Sequence, residues 1–123
     1  MVGPAHVLIV DDNADLRGAV SLLLQFEGHA VVEAADGQLA LDALSAGTRI
    51  GVIILDLMMP VMDGWQLHDE LCADDALAAI PVVVITAHRE SAPFACAGRL
   101  LKPVPLRELL AVIARIVAGR GAA

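Results

Sequence analysis

Short runs rich in apolar residues alternate with segments of helical periodicity along the whole sequence. Such runs are long enough for a strand and too short for a helix, and they are typical of strands covered on both faces of a parallel sheet. The alternation therefore predicts an α/β domain, a doubly wound parallel sheet with helices on both faces. The runs are His6–Val10, Ala30–Ala34 (an edge strand, because it carries Glu33), Val52–Leu55, Val82–Thr86 and a weaker Leu100–Leu101.

The segments between the runs carry signals for helix boundaries. Asn13 and Asp36 are suited to cap the first two helices. A third helix is predicted over Gly64–Leu71, and Pro105 opens a last helix where proline is tolerated. The predicted buried face of the first helix is Leu16, Ala19, Val20, Leu23 and Glu27.

The segment between the fourth and fifth strands lacks a clear helical pattern. His88–Gly98 contains Pro93 and shows little periodicity. Because proline disrupts a helix interior, we expect the helix at this place to be truncated or replaced by a loop.

Composition limits the classes of protein that the chain can belong to. Its 123 residues suit one domain, and 58% apolar residues exclude disorder. The net charge of −7 argues against binding to nucleic acid. The longest apolar stretch, Ile50–Met62, is interrupted by Asp56 and Pro60 and is too short to cross a membrane. No secretory signal is present, and the two cysteines fit free thiols, so a cytoplasmic protein is expected.

Polar side chains stand at the ends of the predicted central strands. Asp11 and Asp12 follow the first strand, and Asp56 follows the third. Thr86 ends the fourth strand, and Lys102 follows the fifth. Because ligands of parallel sheets bind at the carboxyl ends of the strands, these side chains are expected to meet in one site.

The chemistry of this set favours phosphoryl transfer. Three neighbouring carboxylates repel one another and call for a cation, and an all-oxygen set suits Mg²⁺, with Mn²⁺ as a substitute. Attack by Asp56 on a phosphoryl group would give an acyl phosphate. Lys102 and Thr86 would then stabilise the phosphoryl oxygens. Taken singly, Asp12 could be a helix cap and Lys102 a solvated surface residue, but together they favour a site.

Four motifs resemble those of the receiver domain of bacterial response regulators, which has the CheY-like fold. They are VLIVDDN, VIILDLMMPVMDGW, VVVITA and LLKPVP, and the resemblance runs from about Val7 to about Val117. It implies a five-stranded sheet in the order 2-1-3-4-5. It also implies a single receiver domain over residues 1–123, with a core at about 5–118.

The resemblance also assigns roles to individual residues. Asp56 becomes the phosphoacceptor. Asp12 is implied to bind Mg²⁺ directly and Asp11 directly or through water, with the backbone carbonyl of Met58 as a further ligand.

For the switch, the resemblance implies that Thr86 supplies a hydroxyl and that Lys102 is the counter-charge of the phosphoryl group. The Lys102–Pro103 peptide bond is expected to be cis. Met58 and His88 occupy the positions that tune the loss of the phosphoryl group in the family, although His88 also fits an exposed loop histidine.

Two features depart from the family pattern. Thr86 and Lys102 are sixteen positions apart, about one and a half helical turns shorter than is usual. Arg99 stands where the family commonly carries Tyr or Phe. Both changes fall on the face formed by the fourth helix, the fifth strand and the fifth helix, which is the family's usual output surface. This suggests a non-standard readout. The alternative is that Arg99 is simply solvated and the short loop a tolerated deletion.

The expected function is that of a phosphoacceptor in a two-component phosphorelay. The donor would be a phosphohistidine of a sensor kinase or a histidine phosphotransfer domain. The receiver would assist its own phosphorylation and slow dephosphorylation without being a conventional enzyme. The chain ends soon after the last helix, so we expect output through contacts with an unidentified protein, from a monomer or weak dimer, and not through DNA.

Three other classes of protein share features with this sequence. A phosphatase with a nucleophilic aspartate needs a second acid two residues later, where Met58 stands. A flavodoxin-like flavin binder needs a Ser/Thr/Gly-rich phosphate loop after the first strand, where this chain has DDNAD. A pseudo-receiver that is never phosphorylated stays open, because the altered output surface is compatible with an interaction module.

Overall fold

The computed structural model describes residues 6–57, 63–87 and 96–121. Five strands and five helices lie within these ranges. In chain order they are β1 (His6–Val10), α1 (Ala14–Phe26), β2 (Ala30–Ala34), α2 (Gly37–Ser45), β3 (Ile50–Asp56), α3 (Gly64–Cys72), α4 (Asp75–Ala78), β4 (Val82–Thr86), β5 (Gly98–Leu101) and α5 (Leu106–Gly121).

The strands form one parallel sheet in the order β2-β1-β3-β4-β5. This confirms the predicted α/β fold and places β2 at an edge. Strands β1, β2 and β4 have the predicted bounds, whereas β3 and β5 each begin two residues earlier than predicted, at Ile50 and Gly98. The expected strand count and connectivity are therefore both present.

Side chains of the central strands alternate between two apolar cores, one on each face of the sheet. On β1, Leu8 and Val10 belong to one core, while Val7 and Ile9 belong to the other. Residues of α2 and α3 complete the first core, and residues of α1 and α5 complete the second. Because both faces of the sheet are covered, only the ends of the strands are left to carry a polar site.

The predicted face of α1 is confirmed only in part. Val20 is buried and Leu16 packs against the core, as predicted, but Ala19 and Glu27 are exposed. Leu24, outside the predicted face, is fully buried. The reason is the run Leu22–Leu24, in which any of three consecutive leucines satisfies an apolar pattern. Packing against the sheet selects Leu24.

Side chains cap α1 and α2 as predicted. Asn13 accepts a hydrogen bond from Leu16 N–H, and Asp36 accepts one from Leu39 N–H. The sequence pattern did not predict α4, a single turn capped by Asp74.

The segment between β4 and β5 is described only in part. Residues 87, 96 and 97 are not helical, while His88 and Pro93 lie outside the described residues, so the truncated helix stays a prediction. Cys72 and Cys96 are free thiols, as expected. None of the helices in the described ranges has the length and apolar character needed to span a bilayer.

Candidate functional site

The predicted polar residues meet at the carboxyl edge of the sheet. Asp11 directly follows β1, Asp56 is the last residue of β3, and Thr86 is the last residue of β4. These three side chains are almost completely buried, with 1%, 2% and 0% of their surface exposed, respectively. Lys102 directly follows β5 and reaches into the same site. The other residues of β3 and β4 are apolar, so the polar groups buried at the ends of these strands mark the candidate site.

Three carboxylates form an acidic cluster in this site. One oxygen from each of Asp11, Asp12 and Asp56 can be chosen so that all three lie within 4.8 Å of one another. Asp12 is exposed, and Asp11 and Asp56 are buried. Asp11 Oδ2 is buried without a hydrogen-bond partner among the described residues. A buried carboxylate oxygen of this kind calls for a cation, and an all-oxygen donor set open on one side fits Mg²⁺.

Lys102 is the positive group that faces the acidic cluster. Its Nζ donates a hydrogen bond of 3.1 Å to Asp56 Oδ2 and lies 3.7 Å from Asp11 Oδ2. Burial disfavours the charged ammonium and lowers the pKa of Lys102. The hydrogen bond to Asp56 and the negative charges of Asp56, Asp11 and Asp12 outweigh this, so the pKa of Lys102 is raised. The lysine is therefore a fixed positive charge in the site.

Backbone contacts tie Thr86 to the same edge. In the register of the sheet, Asp56 pairs with Ile85, one residue before Thr86. The Lys102 N–H donates a hydrogen bond of 2.8 Å to the Thr86 carbonyl, and the Lys102–Pro103 peptide bond is cis. The ends of β3, β4 and β5 are thereby held side by side.

Gly64 packs directly against the backbone that follows Asp56. A Cβ at this position would lie 2.7 Å from Leu57 Cα and 3.0 Å from the Asp56 carbonyl oxygen. The Gly64 N–H also donates a hydrogen bond of 2.9 Å to the Leu57 carbonyl. Only glycine leaves room for this close approach, which fixes the start of α3 next to the site.

Sequence reasoning missed a group of contacts that holds Asp11. Arg17 on α1 donates one hydrogen bond to the Asp11 carbonyl and another to Glu33 on β2. The Asn13 N–H donates a hydrogen bond of 2.9 Å to Asp11 Oδ1. The sequence carries no local signal for these contacts, because Arg17, Asp11 and Glu33 become neighbours only once β2 lies beside β1.

The remaining predicted site residues stand apart from this cluster or outside the described residues. Arg99 is exposed on β5, in register with Val84. Met58 and His88 lie outside the described residues, and their predicted roles stay predictions.

The fold is that of CheY-like receiver domains. A family model described as the response regulator receiver domain matches residues 7–114. The chain therefore belongs to the response regulator receiver domain family.

Relatives and solved structures agree with this assignment. Protein PilH of Pseudomonas aeruginosa is 31% identical over 121 residues, covering 94% of this chain and 99% of PilH. The response regulator MprA of Mycolicibacterium vanbaalenii is 38% identical over 117 residues, covering 88% of this chain. The chain spans only 48% of MprA. A receiver protein from Pseudomonas putida superposes with a TM-score of 0.86 at 32% identity, covering 94% of this chain and 99% of that structure.

Proposed function

We propose that this receiver accepts a phosphoryl group on Asp56 from a phosphohistidine of a sensor kinase or of a histidine phosphotransfer domain. The observation that carries the proposal is the setting of Asp56. Its carboxylate is 2% exposed, accepts a hydrogen bond from Lys102 Nζ at 3.1 Å, and lies in a cluster with two further carboxylates. A nucleophile beside a fixed cation and a set of metal ligands suits phosphoryl transfer.

The residues that would hold Mg²⁺, or Mn²⁺ in its place, are Asp11, Asp12 and Asp56. The resemblance adds the backbone carbonyl of Met58, which lies outside the described residues. A bound divalent ion would neutralise the carboxylates and the charge that develops on the phosphoryl oxygens. The buried Asp11 Oδ2, which lacks a hydrogen-bond partner in the described part of the chain, supports this assignment.

In the transfer step, an oxygen of the Asp56 carboxylate attacks the phosphorus atom. The phosphorus–nitrogen bond of the phosphohistidine breaks as the new oxygen–phosphorus bond forms. The imidazole leaves with the electron pair of the broken bond and takes up a proton. Lys102 contributes its positive charge to the phosphoryl oxygens, and Asp56 becomes an acyl phosphate. Water later hydrolyses this acyl phosphate slowly.

The output step depends on Thr86. Its side chain is completely buried at the end of β4, next to the strand that carries Asp56. A phosphoryl group on Asp56 provides a new acceptor for the Thr86 hydroxyl, which biases the loop after β4 toward a second arrangement. This change alters the affinity for a protein partner.

Intact-mass measurement after incubation with acetyl phosphate and Mg²⁺ tests the proposal. The unmodified sequence should gain the mass of one phosphoryl group, and Asp56→Asn should gain none. Asp69→Asn is the matched control, because Asp69 is an exposed aspartate on α3. It should be phosphorylated like the unmodified sequence.

The opposite result has a definite meaning. If the unmodified sequence gains no mass while Mg²⁺ and donor are both saturating, the proposal is wrong and a pseudo-receiver that acts only through protein contacts is favoured. A mass gain that survives in Asp56→Asn would place the modification on a different residue.

A further inference from the structure

Arg17 connects the acidic cluster to the edge strand β2. Its Nη1 donates a hydrogen bond of 2.7 Å to the Asp11 carbonyl, and its Nε donates one of 3.1 Å to Glu33 Oε1. The Arg17 side chain is only 17% exposed, whereas that of Glu33 is 42% exposed. Two nitrogens of the planar Arg17 guanidinium thus bind the backbone that follows β1 and a side chain of β2 at once.

These contacts complete the anchoring of Asp11. The Asp11 N–H donates a hydrogen bond of 3.1 Å to the Ala34 carbonyl of β2, and Asn13 N–H binds the Asp11 carboxylate. Arg17 adds the third contact, to the Asp11 carbonyl. The peptide groups on both sides of Asp11 are therefore fixed, and with them the direction of its side chain.

This anchoring opposes the repulsion within the cluster. The carboxylates of Asp11, Asp12 and Asp56 lie close together, and Lys102 supplies one positive charge against three negative ones. Without further restraint, the turn that carries Asp11 and Asp12 could relieve this repulsion by moving outward. A turn held in place keeps its oxygens preorganised for a cation.

We propose that Arg17 is a positioning residue for the divalent cation of this site, and that Glu33 orients Arg17. The inference rests on the proposed function, because it concerns the same cation. Arg17 acts through the backbone of Asp11 and does not itself bind the ion.

The sign of the effect separates positioning from simple electrostatics. Arg17 is a cation, so removing its charge alone would strengthen the attraction between the acidic cluster and Mg²⁺. Loss of a positioning residue has the opposite result, because the carboxylates no longer hold the geometry that the ion needs. Outer-shell partners of metal ligands typically contribute about tenfold or more to metal affinity.

Calorimetric titration with Mg²⁺ distinguishes a positioning role of Arg17 from a purely electrostatic one. Arg17→Gln should weaken Mg²⁺ binding by about tenfold. Arg17→Lys keeps the charge but has a single nitrogen in place of the two that donate hydrogen bonds to Glu33 and Asp11. It should therefore also bind Mg²⁺ more weakly. Arg115→Gln is the matched control, since it removes an exposed arginine from α5 and should leave the affinity unchanged. Glu33→Gln, which keeps an acceptor oxygen, should weaken binding less than Arg17→Gln.

Phosphorylation by acetyl phosphate gives a second readout. In Arg17→Gln, the Mg²⁺ concentration for half-maximal rate should rise, while the rate at saturating Mg²⁺ should match that of the unmodified sequence. Should Arg17→Gln prove unfolded by circular dichroism, Arg17→Lys and Glu33→Gln carry the same test.

Three outcomes are decisive. Weaker Mg²⁺ binding by folded Arg17→Gln and Arg17→Lys supports the positioning role. Unchanged or tighter binding by either variant overturns it while leaving the proposed function intact. Failure of the unmodified sequence itself to bind Mg²⁺ overturns both.

Discussion

The ammonium group of Lys102 donates a 3.1 Å hydrogen bond to a carboxylate oxygen of Asp56, a residue 46 positions earlier in the sequence. The same nitrogen lies 3.7 Å from Asp11. The lysine thus stands between two buried acids at the ends of β1 and β3. It is the local counter-charge of the acidic cluster. In the proposed phosphoryl transfer it would serve the phosphoryl group on Asp56 in the same way.

The first prediction concerns the titration of Lys102. Its pKa should lie above the usual 10.5, because the hydrogen bond to Asp56 and the neighbouring negative charges outweigh the effect of burial. A raised pKa in the folded state means that this ion pair stabilises the fold below pH 10.5 and that its contribution is lost as the pH rises through the folded-state pKa.

Lysine-selective ¹³C NMR can measure this pKa directly, because Lys102 is the only lysine in the sequence. In Asp56→Asn the pKa should fall, since burial remains while the strongest favourable partner is lost. Asp69→Asn is the control and should leave it unchanged. Equal values in Asp56→Asn and the unmodified sequence would show that the ion pair is absent in solution.

The second prediction concerns the close contact at Gly64. In Gly64→Ala the new methyl group must displace the backbone of Leu57, so the free energy of unfolding should fall by about 1–3 kcal/mol. Phosphorylation of the neighbouring Asp56 should also become slower. The control is Gly18→Ala on the exposed side of α1, where a Cβ would have no atom within 4 Å apart from its chain neighbours and the helix's own backbone. This change should raise stability by up to about 1 kcal/mol.

Urea denaturation and the rate of mass gain with acetyl phosphate measure the two effects. If Gly64→Ala were as stable and as readily phosphorylated as Gly18→Ala, the tight packing of α3 against the site would not exist in solution.

The sequence was sufficient to predict the sheet and the residues at its carboxyl edge. Asp56 and Thr86 could be identified because several predicted central strands end in polar residues of complementary chemistry, and the carboxyl ends of parallel strands meet at one edge of the sheet. Which side of α1 is buried could be predicted only in part. Leu22–Leu24 offers several apolar faces, and only packing against the sheet selects Leu24.

Contacts between distant residues were equally out of reach. The link from Arg17 to Asp11 and Glu33 joins three elements whose neighbourhood is created by the sheet. No local spacing encodes it. The single turn α4 was missed because four residues capped by Asp74 are too few to show a helical period.

The third prediction concerns the readout. Phosphorylation should change amide hydrogen exchange in the segment from His88 to Leu101, because the Thr86 hydroxyl is drawn to the phosphoryl group. Thr86→Val keeps the volume of the side chain and removes the hydroxyl. It should still be phosphorylated on Asp56, but the exchange change should be largely lost.

Mass spectrometry of peptides from this segment measures the hydrogen exchange. Arg99→Tyr introduces the aromatic ring that the family commonly carries at this position, so the same measurement shows whether Arg99 alters the readout. If amide hydrogen exchange in the segment from His88 to Leu101 is the same before and after phosphorylation of the unmodified sequence, a non-standard readout through this segment is excluded.

In the proposed mechanism, the acidic cluster binds a divalent cation, and Asp56 is thereby able to accept a phosphoryl group. The most direct measurement locates the acyl phosphate after incubation with acetyl phosphate, with Mg²⁺ or with a chelator. Borohydride reduction converts a phosphorylated aspartate to homoserine, which peptide mapping detects. Homoserine is expected at position 56 with Mg²⁺ and is not expected with the chelator. Homoserine at another position, or equal amounts under both conditions, would contradict it.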